Sequence, residues 1–452
     1  MYRRPNDANG RSALFSPILL SLRIDSSGQY LLLALFFPFL FPPYEVKVRQ
    51  NKIVNFVMGT PKEHLPASIS EDDIRALIAS LGLPSPQLVS PLSTTAEYHS
   101  IYALSFPSSV AATLSPTLVP LPDDDHIQLI LRISGNHLPR IKTINEVAVM
   151  TWVRQNTRFP IAEVVRFDAS TNNPLGHEYT LLQRLPGVAV SDVYDRLSPE
   201  MLDCLIDQIV DIVHQTHETS WHGVFGLQFN NNGDIIPGPV VEETFWHSPD
   251  VAKYWPDSES VESLNISGPY DSYTDYIAAM VRVYQHAIRV HPTLENMRDL
   301  LPRLDAFVDA LSKHPELNNT RYILAHKDLH FGNIMYDELN GCITGILDWE
   351  FSSIVPAPRW NPVRAFLWNG HYAPEATEER NRLNKLFRER CAARGLDCLM
   401  EEINFSSSIQ QAMQDAVNYL RAIVEVSPRH QKADVVPSWR ASLEEGLRLF
   451  KV

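Results

Sequence analysis

Three oxygen-bearing side chains stand out by type and spacing: Asp328, Asn333 five residues on, and Asp348 fifteen residues further. They sit in His326-Lys327-Asp328-Leu329-His330-Phe331-Gly332-Asn333 and then Gly345-Ile346-Leu347-Asp348-Trp349-Glu350. A carboxylate that can steer a hydroxyl proton, followed by an amide oxygen and a second carboxylate that can share a cation, is the spacing of a phosphoryl-transfer loop. Oxygen-only ligands suit Mg²⁺, which leaves room in its shell for water and nucleotide phosphates. Asp328 is thus the candidate base, with Asn333 and Asp348 as candidate metal ligands and His326 as support for the loop. A rival chemistry uses the same stretch, with His326, His330 and Asp328 as ligands of a hydrolytic zinc. It leaves Asn333 and Asp348 idle, and no third His or Cys lies nearby at ligand spacing.

Local elements must hold these groups together. Arg321 to Ala325 is a short apolar run with β-branched and aromatic members, which predicts a strand delivering His326. Ile334-Met335-Tyr336 and Cys342 to Leu347 read as paired strands, and Asp337 to Gly341 between them carries Asn-Gly turn chemistry. Such a hairpin holds Asn333 at one end and returns Asp348 to the same end.

These motifs resemble the aminoglycoside phosphotransferase family, a small-molecule branch of the protein-kinase-like fold that also includes choline, homoserine and fructosamine kinases. The family pattern is His-Gly-Asp-Leu-His-x-Gly-Asn followed by Ile-Asp-Trp-Glu, so Lys327 stands here in place of a glycine. The resemblance runs roughly from residue 85 to 370 and is strongest between Leu324 and Phe351. It implies an α+β, bilobal fold: a small β-sheet N-lobe with one main helix, and a larger, mostly helical C-lobe. ATP and Mg²⁺ would be its cofactors, and the phosphate-facing base on the strand Ile127 to Ile133 would be Arg132 where the family has lysine. The planar guanidinium is a different tool from an ammonium. Fourteen residues on, Glu146 lies in a helical pattern with Ile144, Val147, Ala148 and Trp152 on an apolar face, and would orient Arg132. Tyr179 to Gly187 resembles the strand into the interlobe hinge, which places adenine against Gln183 to Leu185. The phosphate-covering turn would be Ser93 to Ser100, in a region without glycine between Leu83 and Ser134. That absence leaves a catalytically weak pseudokinase, binding through the same cleft, as the alternative.

No Asp-Phe-Gly or Ala-Pro-Glu segment builds a peptide shelf, so the expected partner is a small hydroxylated acceptor. It would lie between Asp348–Pro356 and a helical insert at 240–312, against Trp246, Tyr254, Trp255, Trp360 and Trp368. The charge balance of 39 basic and 53 acidic residues, net −14, argues against nucleic acid and is compatible with a cationic acceptor. Four cysteines without Cys-x-x-Cys spacing fit a reducing, cytoplasmic setting, and no obligate protein partner is indicated. Tyr30 to Pro43 is apolar but too short and too proline-broken for a stable membrane span. The expected division is an N-terminal tail at 1–60, disordered, membrane-associated or packed on the N-lobe; a nucleotide-binding N-lobe at 61–185; and a C-lobe at 186–452. Ser70 opens a helix through Ile74, Leu77, Ile78 and Leu81, closed by Gly82. Ser198-Pro199 opens another, with a stripe of Leu202, Leu205, Ile206, Ile209 and Val213.

Overall fold

The computed structural model describes residues 64–92, 96–118, 125–359 and 374–452, with side chains from 377 in the last stretch. Tyr30–Pro43, Ser93–Thr95, Trp360 and Trp368 lie outside the described residues.

The N-terminal sheet has five antiparallel strands in the order β1-β2-β3-β5-β4: β1 Leu88–Pro91, β2 His99–Pro107, β3 His126–Ser134, β4 Val164–Asp168 and β5 Tyr179–Gln183. Alternation within β3 decides which side chain goes where. Ile127, Leu129, Leu131 and Ile133 are buried in a core shared with Ile74, Leu77 and Ile78. A strand's side chains alternate, so Arg132 is directed to the opposite face. Register fixes its neighbours as Ile101 on β2 and Thr180 on β5. The Glu71–Ser80 helix covers the other side of that core, and the Ser70 hydroxyl accepts from the Asp73 amide at 3.1 Å. Gly82, at φ +67°, follows it as expected.

The Ile141–Asn156 helix joins this sheet to the second core. The apolar face expected from sequence is borne out in half: Val147 and Ala148 are buried, but Ile144 and Trp152 stay partly exposed, while Lys142, Asn145 and Glu146 are buried beside Val149 and Val153. Polar residues can take that face because their partners lie on other elements.

The second core is built on helices. All five stripe residues of the Pro199–Glu218 helix are buried, alongside apolar faces of Tyr273–Val290 and Ser408–Val426. Short strands enter this body: β9 Tyr322–Ala325 pairs with β12 Ser353–Pro356, and β10 Ile334–Asp337 pairs with β11 Cys342–Ile346 and with β6 Val188–Ala189. Gly187 permits the β6–β10 contact. Its φ is +92°, and an added Cβ would lie 2.3 Å from the Tyr336 carbonyl oxygen. The molecule is α+β and bilobal, with the protein-kinase-like plan. Among the described residues, no helix is long and apolar enough to cross a membrane.

Candidate active site

The loop after β9 carries the expected base. His326 is buried, and its Nε2–H donates to the Leu347 carbonyl at 2.7 Å while Nδ1 accepts from the Asp328 amide at 3.3 Å. Both bonds require the neutral Nε2–H tautomer, and burial lowers the His326 pKa to about 4. With both ring nitrogens engaged, His326 acts as a support for the loop, an arrangement that disfavours it as a zinc ligand. Asn333 Nδ2 donates to the Asp328 backbone carbonyl at 2.9 Å and to Asp328 Oδ2 at 3.2 Å. The β10–β11 hairpin then brings Asp348 back, with Leu347 N donating to Asn333 O at 2.8 Å. Lys327 and Asp348 both adopt φ +64°, a left-handed conformation costing a side-chain-bearing residue roughly 1–2 kcal/mol.

On the sheet side, Arg132 ion-pairs with Glu146 as expected from sequence. Its second arm does something unforeseen: Nη2 donates to Asp348 Oδ1 at 2.8 Å and lies 3.2 Å from His99 Nδ1. Arg132 thereby links the nucleotide-side pair to a predicted metal ligand. A second buried pair stands beside it, with Lys142 Nζ 2.5 Å from Glu350 Oε2 and 3.1 Å from His99 Nε2. Asn145 completes the fastening, donating to the carbonyls of Glu350 and Ser352 at 3.2 and 2.8 Å and accepting from Leu227 N at 2.8 Å. His99, Lys142, Asn145 and Glu350 were not singled out from sequence; Glu350 alone had a signal, as the last residue of Asp-Trp-Glu.

Electrostatics separate the two aspartates. Burial, then the charge of Asp348, pushes the Asp328 carboxyl well above its usual range. Burial is also the largest single influence on Asp348, but Arg132, His326 and Lys142 and the Arg132 hydrogen bond together outweigh it and hold that carboxyl below its usual range. A carboxylate inclined to take a proton thus stands beside one inclined to stay charged, the division of labour acid–base chemistry next to a cation needs. Burial likewise raises Glu350, to about 8, against the pull of Lys142.

The hinge residues take backbone positions at the sheet's end. Gln183 pairs with Leu129 as the last residue of the β3–β5 ladder, and its amide donates to Glu163 O at 2.9 Å. Leu185 is buried against the β10–β11 hairpin: a Cβ on Gly345 would meet its Cδ1 at 2.1 Å. Thus Asp328, Asn333, Asp348, Arg132, Glu146 and His326 form one connected network, while Gln183 and Leu185 border it across the hairpin.

Opposite the sheet, Glu242 and Glu243 face the loop. Lys327 Nζ is 3.2 Å from Glu242 Oε2, and Glu242 also receives the Tyr276 hydroxyl at 3.1 Å. Glu243 accepts from the Tyr98 hydroxyl at 3.0 Å. Burial, then the charge of Asp328, pushes Glu243 well above the ordinary carboxylate range. Beyond them, Thr244, Phe245, Trp246, Met280 and Tyr284 line a narrow crevice. Of the aromatic residues expected at an acceptor pocket, Trp246 lines this crevice, and Trp255 packs edge-on behind it at 5.0 Å.

A buried aspartate bonded by Asn333, and Asp348 tied to a strand–helix ion pair, set between a β-sheet lobe and a helical lobe, form the framework of a phosphotransferase fold. The chain belongs to the phosphotransferase enzyme family (APH), which it matches over residues 121–357, about half its length. It is 25% identical over 224 residues to clavilactone A biosynthesis cluster protein Y of Ampulloclitocybe clavipes, covering 47% of this chain and 50% of that protein. It is 25% identical over 283 residues to altered inheritance of mitochondria protein 9, mitochondrial, of Yarrowia lipolytica, covering 52% of this chain and 47% of that one. The chain spans about half the length of the curated relatives it matches. Among solved structures, aminoglycoside phosphotransferase APH(4)-Ia is 14% identical, with 84% of this chain and 99% of that chain covered and a TM-score of 0.43. The gentamicin complex of APH(2")-IIa is 10% identical, with 84% and 97% covered, also at 0.43.

Proposed function

We propose that this chain is an ATP- and Mg²⁺-dependent O-phosphotransferase acting on the hydroxyl of a small molecule. One observation carries the reading: Arg132 bonds both Glu146 and Asp348, 216 residues away from it, while Asn333 bonds Asp328 on the adjoining loop. Membership of the phosphotransferase family supports the same class of reaction.

The donor set fits a hard cation. Asp348 is held ionised, and the Asn333 amide turns its nitrogen to Asp328, which leaves its oxygen for a ligand. Asn333 and Asp348 would hold Mg²⁺, which when bound neutralises charge on the transferring phosphate. Arg132, oriented by Glu146, faces the phosphates, and the hinge from Gln183 to Leu185 takes the adenine. Asp328 accepts or steers the proton of the acceptor hydroxyl, with His326 holding its loop. Proton transfer of this kind contributes roughly 10²–10⁴-fold; alignment and electrostatics supply the rest. The lobe at 61–185 would bind nucleotide and 186–452 the acceptor. The net charge of −14 is compatible with a cationic acceptor such as an amino sugar. We place the protein in the cytoplasm, with no nucleic acid and no obligate protein partner.

The test is ATP consumption by purified protein against amino sugars, choline analogues and polyols. Asp328→Ala should abolish transfer while sparing nucleotide binding; equal turnover in wild type and variant would refute the assignment. The Arg132–Asp348 bond also engages an oxygen that Mg²⁺ would need, and a weak pseudokinase in which it persists is the second reading. Thermal protection by ATP that requires Mg²⁺ would rule it out.

A further inference from the structure

Lys327 occupies the position where the family pattern has glycine, and its backbone is left-handed at φ +64°. Glycine enters that region freely and lysine does not. Lysine in this place therefore calls for a compensating side-chain contact, and one is present. The side chain is largely but not fully buried, and Nζ lies 3.2 Å from Glu242 Oε2 while donating to the Val241 carbonyl at 3.1 Å. Glu242 is buried as well, and Arg359 Nη2 lies 3.4 Å from its other oxygen. Its carboxylate is committed to structure, held charged against burial by Lys327 and Arg359.

The loop is fastened elsewhere too. Ser352 Oγ donates to the His326 carbonyl at 3.2 Å, and His326 itself bonds Leu347, so that side is tied to the Asp348 segment. Asn333 closes the far end onto Asp328. Lys327 fastens the remaining side, towards residues 241–246, whose first members touch the catalytic loop and whose last members, Thr244 to Trp246, line the crevice.

We propose that Lys327 is a positioning residue for transfer: through Glu242 and the Val241 carbonyl it ties the Asp328 loop to the 241–246 segment and so holds Asp328 in place. The proposal rests on the phosphotransferase reading of this site. A displacement of about 1 Å at a reacting group costs on the order of 100-fold, so loss of this tether acts on kcat before it acts on nucleotide affinity.

Three variants separate the effects. Lys327→Met keeps the strained backbone without the charge, Lys327→Gly removes both, and Glu242→Gln removes the partner. In steady-state phosphotransfer, Lys327→Met and Glu242→Gln should each lower kcat about 10- to 100-fold with the KM for ATP within about twofold. Their double variant should lose little more than either single one, and Lys327→Arg should recover most of the rate. A kcat for Lys327→Met within about twofold of wild type, or losses that multiply in the double variant, would overturn the tether. Hydrogen exchange at the amides of Asp328 to Asn333 needs no turnover and separates this from failure of the kinase reading. Faster exchange in Lys327→Gly and Glu242→Gln supports the tether even in a protein that phosphorylates no acceptor tried, and unchanged exchange sinks it.

Discussion

Asp328 and Asp348 share a residue type and a site, yet their surroundings drive them apart. Asp348 has a guanidinium at 2.8 Å, whereas Asp328 is buried among carboxylates, with Asp348, Glu350 and Glu97 all raising it. The acid limb of the kcat/KM profile should therefore lie above the ordinary carboxylate range, because the base works only when deprotonated. Replacing Glu97 by Gln removes one repelling charge, which lowers the Asp328 pKa and moves that limb to lower pH. An unmoved or upward-moving limb in Glu97→Gln, followed at saturating Mg²⁺, would show that another group titrates there.

At the scale of elements, the Asp-Trp-Glu segment is set by its middle residue. Trp349 is fully buried, donates Nε1–H to the Ile346 carbonyl at 3.1 Å, stacks on Phe159 at 6.1 Å and meets His326 edge-on at 4.5 Å. It wedges the β11 end against the catalytic loop, so Asp348 and Glu350 emerge on the side of Arg132 and Lys142. Trp349→Ala should cost about 3–5 kcal/mol of unfolding free energy, since a buried indole leaves a cavity that neighbours fill only in part. Chemical denaturation measures this directly. A loss below about 1 kcal/mol would mean that the segment collapses onto itself without the wedge.

Across the whole molecule, buried imidazoles make stability depend on pH. Burial lowers His217 to about 4 from an ordinary value near 6.5. The unfolded chain therefore binds the proton first, and stability tied to neutral His217 is present above about pH 6.5 and lost as pH falls towards 4. Each pKa unit is worth about 1.4 kcal/mol, so wild type should lose about 3 kcal/mol over that window relative to His217→Gln, which keeps a donor for the Val213 carbonyl. Taking the difference between the two proteins removes the opposing contribution of raised carboxylates such as Glu350. Parallel curves from pH 7 to 4 would show that His217 does not titrate with unfolding.

The loop, the hairpin, the two amphipathic helices and the Arg132–Glu146 pair were legible in the chain because each is a matter of short spacing. Periodicity of 2 or 3.6, turn residues and a catalytic motif are all local, and the strand and helix limits follow them within a residue or two. The apolar face assigned to Ile144, Val147, Ala148 and Trp152 was right for Val147 and Ala148 and wrong for the other two, for the same reason. Helical periodicity reports an apolar stripe, whereas burial of Lys142, Asn145 and Glu146 depends on Glu350, Ser352 and Arg132 arriving from elsewhere. Only the tertiary structure decided which charges meet. Lys142 finds Glu350 from 208 residues away, and Lys327 finds Glu242 on a segment distant in sequence. A buried charge is tolerated only with its partner in place, and nothing in the local sequence around a lysine marks which distant carboxylate will be that partner.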